Sequence, residues 1–353
     1  MNTRLIPSYC VERRLCMCFL FALFVALMLG SCTMGSDQMT VIHGSTMGTT
    51  YTIKVVDTEL GEETLKVRVD DELQRLNQTF STYIEDSELS MLNRAISGVQ
   101  IELSADLMAV LTMSRDLYQQ SHGAFDVTVG PLVNLWGFGP AGPGNGIPGA
   151  ASIRERLAKT GADKLELGHG YVIKHAAVEV DLSAIAKGFA VDRIAEILVI
   201  NGAQRYLVEI GGELKAHGFN ANGRDWVVGV ETPDTEQRAL QLTLPVANQG
   251  MATSGDYRNF FYHGGVQYSH TLDPRTGWPV THNMASVTVL HDSAALADGY
   301  ATAFSVLGLT ETMQIADAQK LKVLAILRTD KGYEEHESHA MRIYRCKESA
   351  CQR

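Results

Sequence analysis

Hydrophobic and polar residues alternate from Tyr51 to Val56, the period of two expected of a half-buried strand. The period then lengthens: Leu65, Val69, Leu73 and Leu76 recur every three or four residues and predict a helix. A second helical stripe (Leu107, Val110, Leu111, Leu117) lies between Ser104 and Gln120. Gly137 to Gly149 is rich in glycine and proline and reads as a loop. Beyond it the short apolar runs multiply. Val178–Leu182, Tyr206–Ile210, Trp226–Val230, Leu240–Leu244 and Val287–Leu290 all read as strands. Two helices interrupt them. One begins just after Ser183, as its cap, and carries Ala186, Ala190, Ile194 and Ile197; the other spans about Ser293 to Leu307. Strands outnumber the helical crossovers that parallel neighbours need, so the expected class is α+β with mixed, largely antiparallel sheets.

The N-terminus changes the picture of compartment. Arg4, Arg13 and Arg14 precede an uncharged stretch from Cys16 to Gly30, short for a bilayer span but suited to a signal peptide. It ends in Leu29-Gly30-Ser31-Cys32, which has the small-residue character of a lipoprotein cleavage site. The alternative is an uncleaved anchor. The expected organisation is a signal peptide over 1–31, a tether over 32–39 lipidated at Cys32, a catalytic domain over 40–345 and a tail over 346–353. Cys346 and Cys351 remain near the C-terminus, either as a disulfide that pins it or as free thiols. Removing 1–31 takes away three basic residues and one acid, so the charge moves from 30 − 40 = −10 to 27 − 39 = −12. An acidic chain without a basic run is a poor nucleic-acid binder.

Three segments carry candidate chemistry. In Ala297-Asp298-Gly299-Tyr300-Ala301-Thr302, Asp298 and Thr302 are one helical turn apart on one face, and their oxygens suit Mg²⁺. The same spacing also fits an exposed Asp and a threonine bonded back to the helix. In Asp181-Leu182-Ser183-Ala184-Ile185-Ala186-Lys187-Gly188, a helix start and Lys187 offer a phosphate site, or simply a capped structural helix. His270, in Tyr268 to Gly277, stands at a turn built by Asp273-Pro274 and Thr276-Gly277, as a general base or as a structural histidine. Gly44–Thr49, Gly123–Asp126 and Thr253–Arg258 read as structured loops. There is no zinc-type Cys/His spacing and no G-x-S-x-G elbow.

Together with Phe80–Tyr83, Asp86–Leu89 and Gly123–Gly139, these segments resemble the ApbE family of periplasmic flavin transferases, from about Gly44 to Leu307. The resemblance implies a T-fold-related α+β flavin transferase fold and an enzyme that moves FMN from FAD to a threonine of a target protein, releasing AMP. By it, Met47, Tyr83, Ala124, Phe125, Asp126, Asp181, Lys187 and Leu272 line the FAD site. The Ala184 carbonyl, Asp298 and Thr302 hold Mg²⁺, and His270 activates the acceptor threonine. Ala301 stands where some members place a second acid. The acceptors it implies are subunits of membrane redox pumps, and the location a lipid anchor on the periplasmic face of a bacterial membrane. An FAD pyrophosphatase releasing FMN and AMP, or a non-catalytic FAD-binding lipoprotein, would use the same residues.

Overall fold

The computed structural model describes residues 38–139, 142, 146–233, 239–255 and 260–351. The segment expected to be a signal peptide, Cys32 and nearly all of the expected tether lie outside them. Eight strands form the main sheet: β1 (Met39–Thr46), β2 (Thr49–Val56), β3 (Tyr206–Ile210), β4 (Glu213–His217), β5 (Gln249–Gly255), β6 (Met284–His291), β7 (Lys322–Thr329) and β8 (Gly332–Glu337). They lie side by side in chain order, every neighbour antiparallel. This is the α+β class expected from the strand-rich pattern.

Alternation sends the strand residues to two cores. On β7, Val323 and Ala325 face one side, while Leu324 and Ile326 face the other. The first side carries the helices α1 (Glu62–Phe80), α2 (Ala105–Gln120), α3 (Ala186–Ile200) and α4 (Ala294–Leu307). Leu65, Val69, Leu73, Leu76, Leu107, Val110, Leu111 and Leu117 are all buried there, as their spacing predicts. The second side is covered by the hairpin Trp226–Glu231/Leu240–Val246 and the helix His339–Cys351, through Trp226, Leu244 and Met341. That helix carries both Cys346, which is exposed, and Cys351, whose side chain lies outside the description, so the pairing expected of the two falls outside it as well.

Four local expectations need correction. Val178–Leu182 alternates in burial but is not a strand; only an isolated parallel bridge, Val129 to Glu179, touches it. Its hydrogen bonds come from elsewhere. Asn93 brackets Val180, its amide donating to the Val180 carbonyl and its oxygen accepting from the Val180 N–H, and the Asp181 N–H donates to Val127. Ser183 does not cap α3, whose N-cap is Ile185 with no side-chain bond. Its hydroxyl donates instead to Asp181 at 2.5 Å. Two of the expected loops are strand: Thr253, Ser254 and Gly255 are the end of β5, while 256–259 lie outside the described residues, and Gly44–Thr46 and Thr49 belong to β1 and β2, which leaves only Met47-Gly48 as a turn.

Candidate functional site

One cleft of about 530 Å³ opens where the start of α3 and one face of α4 (Asp298, Thr302, Val306) meet the β3–β4 turn, the start of β4 and the end of β5. A volume in this range suits a cofactor-sized molecule. Tyr83, Ala124, Phe125, Asp126, Asp181, Ala184, Lys187, His270, Leu272, Asp298 and Thr302 all line it. Sequence separations of up to 219 residues, from Tyr83 to Thr302, thus close on one space. Met47 is not among the lining residues. It makes the two-residue β1–β2 turn with Gly48, both at positive φ (49° and 72°), and packs against the main core.

The two helix starts are locked together first. A Cβ on Gly188 would lie 2.3 Å from the Ala294 carbonyl oxygen, so only glycine lets α3 approach α4 this closely. Asp192 on α3 accepts from the Ser293 hydroxyl (2.7 Å) and the Ala295 N–H (3.0 Å) at the first turn of α4, and pairs with Lys215 on β4. The same contact brings Asp298 onto α3. Its Oδ2 accepts from the Gly188 N–H at 3.2 Å and lies 3.7 Å from the Lys187 ammonium. In an unbroken helix that N–H would go to the carbonyl four residues back, at Ala184. Here it goes to Asp298, and among the described residues no backbone N–H donates to the Ala184 carbonyl.

Lys187 also lies 3.5 Å from Glu213 Oε1. Glu213 opens β4 directly after the Gly211-Gly212 turn, is 5% exposed, and has a buried second oxygen, Oε2, with no hydrogen-bond partner among the described residues. Two buried carboxylates therefore flank one ammonium. Burial pulls Lys187 down, but Asp298 and Glu213 outweigh it and hold the ammonium above the ordinary lysine range. Burial pushes Asp298 up, against the pull of Lys187 and the Gly188 N–H. Burial likewise pushes Glu213 up to about 8, Lys187 pulling it down and Asp298 adding to the rise. Glu213 is the site residue that sequence reasoning missed. A Gly-Gly turn between alternating runs is a hairpin signal, and an acid immediately after it was the available clue.

The remaining lining is made by turns. Asp181 Oδ1 accepts from both the N–H and the hydroxyl of Ser183, which folds the chain just before Ala184. Asp126 accepts from the N–H and hydroxyl of Thr128 and from the Ala162 N–H, so its carboxylate braces the loop, and burial pushes its pKa up. Tyr83 is 72% exposed on the rim. His270 follows the strand Val266–Ser269, beside the tight pair Leu272–Asp273/Trp278–Pro279, with its ring edge-on to Phe138 at 6.2 Å. Ala301, in contrast to the acid that the resemblance associates with this place, is 1% exposed and part of the core.

Oxygen donors, a lysine and a histidine around a cofactor-sized cleft fit a phosphoryl-transfer chemistry that acts on a dinucleotide. The profile of the ApbE family matches residues 47–327. An FAD:protein FMN transferase of Vibrio cholerae is 40% identical over 329 residues, covering 92% of this chain and 98% of its own. One from Haemophilus influenzae is also 40% identical, over 334 residues, 92% of this chain and 96% of its own. Among solved structures, the flavin transferase ApbE of Vibrio cholerae superposes with a TM-score of 0.82 at 39% identity, covering 87% of this chain and 99% of that one. The apo flavinyl transferase ApbE of Pseudomonas stutzeri gives 0.81 at 35% identity, over 87% and 97%. With a profile match over most of its length and relatives this similar end to end, the chain belongs to the ApbE family.

Proposed function

We propose that the cleft binds FAD and Mg²⁺ and passes FMN to a threonine hydroxyl of an acceptor protein, with release of AMP. The observation that carries this reading is the convergence of Ala184, Lys187, His270, Asp298 and Thr302 on one space. The donor set fits a hard cation. Asp298 has one oxygen held by the Gly188 N–H and a second with no hydrogen bond among the described residues, the Ala184 carbonyl receives no backbone N–H, and Thr302 is one turn along α4. Bound there, Mg²⁺ would neutralise charge on the pyrophosphate.

The protein's own groups then divide the work. Lys187 attracts the phosphates through its ammonium and through its own backbone N–H at the start of α3, which has no partner among the described residues. His270 takes the proton of the threonine hydroxyl, whose oxygen forms a bond to the phosphorus on the FMN side. The bond from that phosphorus to the bridging oxygen breaks, AMP leaves with that oxygen, and the acceptor keeps FMN as a phosphoester. Enclosure of the cleft by Phe125, Val127, Val129 and Leu272 limits the water that would otherwise compete with threonine.

The lipobox-like Leu29–Cys32 supports a lipid anchor at Cys32 on the periplasmic face of a bacterial membrane, where acceptor subunits of membrane redox pumps would be in reach. Mass spectrometry of a threonine-bearing acceptor peptide with the soluble domain, FAD and Mg²⁺ tests the reaction. The peptide gains FMN less water and AMP appears; free FMN and AMP with an unmodified peptide would mean hydrolysis instead. His270→Asn is expected to lower transfer by about 100-fold or more while FAD still binds. Asp298→Ala is expected to lose most of the rate gained on adding Mg²⁺, and an unchanged response would remove that ligand from the scheme.

A further inference from the structure

Glu213, which lines the cleft, carries a buried oxygen, Oε2, with no hydrogen-bond partner among the described residues, whereas its Oε1 faces Lys187 at 3.5 Å. Neither the fold nor the proposed chemistry uses that oxygen. A buried polar atom left without a partner costs about 1–3 kcal/mol, so such atoms are rare and mark places where a partner arrives. The position is rigid. Glu213 pairs with Ile210 across the tight Gly211-Gly212 turn, and Leu214 beside it packs in one cluster with Met251 and Val230. Leu214, Val228, Val230 and Met251 belong to that cluster and also line the cleft, so the wall that begins next to Glu213 at Leu214 has an apolar stretch. An apolar wall with one polar atom suits the edge of a flat heteroaromatic ring, which offers apolar faces and hydrogen-bonding groups on its rim.

We propose that the free carboxyl oxygen of Glu213 hydrogen-bonds the polar rim of one of the two ring systems of FAD, making Glu213 a substrate-binding residue beyond its pairing with Lys187. The inference rests on the reading of the cleft as an FAD site. FAD carries two such rings, the adenine of its AMP half and the isoalloxazine of its FMN half, and the test separates them. Glutamine keeps the shape and the hydrogen-bonding capacity of the carboxyl; methionine keeps the shape alone.

The experiment measures binding of FAD, FMN and AMP by calorimetry to the soluble domain in Mg²⁺, for the wild type, Glu213→Met, Glu213→Gln, Lys187→Met and the double variant Glu213→Met with Lys187→Met. Glu213→Met is expected to weaken FAD about tenfold to a hundredfold, the cost of leaving a buried hydrogen-bonding group on the ring without its partner. Glu213→Gln is expected to stay within about threefold of wild type. The loss must persist when Glu213→Met is added to Lys187→Met. If it disappears there, Glu213 acts only through the lysine and the proposal is overturned. Weakening of AMP assigns the contact to adenine and weakening of FMN to the flavin; if neither weakens, the proposal fails. A wild-type protein that binds no FAD would overturn the reading of the cleft itself, whereas tight wild-type binding matched by Glu213→Met would overturn this inference alone.

Discussion

The two helices that meet at the cleft start in opposite ways. At α4 side chains close the helix end. Ser293 accepts from the Leu296 N–H, and Asp192 reaches across from α3 to the Ser293 hydroxyl and the Ala295 N–H. At α3 the N-cap Ile185 supplies no side-chain cap, and the turn before it is held by Asp181 and Ser183 bonding each other. The Ala186 N–H donates to the Leu182 carbonyl and the Gly188 N–H to Asp298, which leaves the Lys187 N–H without a partner among the described residues. A helix N-terminal amide left unsatisfied attracts anions, whereas a capped one does not need them. α4 is thus the support that places Asp298 and Thr302, and the start of α3 keeps the N–H and ammonium of Lys187 for substrate.

The strongest way to break this arrangement is to push the helices apart. In Gly188→Ala the new methyl would meet the Ala294 carbonyl oxygen at 2.3 Å, against backbone that cannot rotate away. The expected cost is about 3 kcal/mol, at the upper end for overpacking. Because the Gly188 N–H also holds Asp298, the rate gained on adding Mg²⁺ should fall with it. Urea denaturation and Mg²⁺ titration of activity check both; a variant as stable and as responsive as wild type would mean that the contact is slack.

The second prediction concerns the charge that joins the helices. Glu213 holds its proton in the folded state up to about 8, against 4.5 as its ordinary value. Between those values the folded protein binds more protons than the unfolded chain. This contribution to stability is therefore present below about 4.5 and lost as pH rises through about 8. In the protein freed of metal and FAD, Glu213→Gln should narrow the fall in urea midpoint between pH 5 and 8. An unchanged fall would show that Glu213 titrates as an exposed glutamate does.

The difference between the helix starts also divides what could be read from the chain. Ser293 followed by the apolar run of α4 is a local signal, and both the cap and the Asp298/Thr302 face follow from neighbours within one or two turns. The long stripes of α1 and α2 were legible for the same reason. The approach to α3 was not. Val178, Val180 and Leu182 alternate as a strand does, because one side of the segment packs into the core. Its hydrogen bonds, however, come from Asn93, 87 residues away, and from Val127, and no local pattern reports a partner that distant. Ser183 followed by a helix imitates a cap, yet the helix begins three residues on, at Ala186, because Asp181 folds the chain into a turn at Ser183 and moves the cap position to Ile185. Glu213 was hidden by the same limit: it joins Lys187 and Asp298 only through the β3–β4 turn and the contact between helices.

The smallest effect gives the sharpest comparison. Ser293→Ala removes a real cap and leaves Asp192 with one fewer donor, so the expected loss is about 1 kcal/mol or slightly more. Ser183→Ala removes a hydroxyl that only completes a turn, since its N–H still reaches Asp181 at 2.8 Å; the expected loss is below about 0.5 kcal/mol. The two serines each stand just before a helix, so local sequence alone predicts equal losses. Paired urea curves decide between them. Equal destabilisation would mean that Ser183 does cap α3 in solution and that the Lys187 N–H is already satisfied. A difference near a factor of two or more leaves that N–H for the phosphates of the substrate.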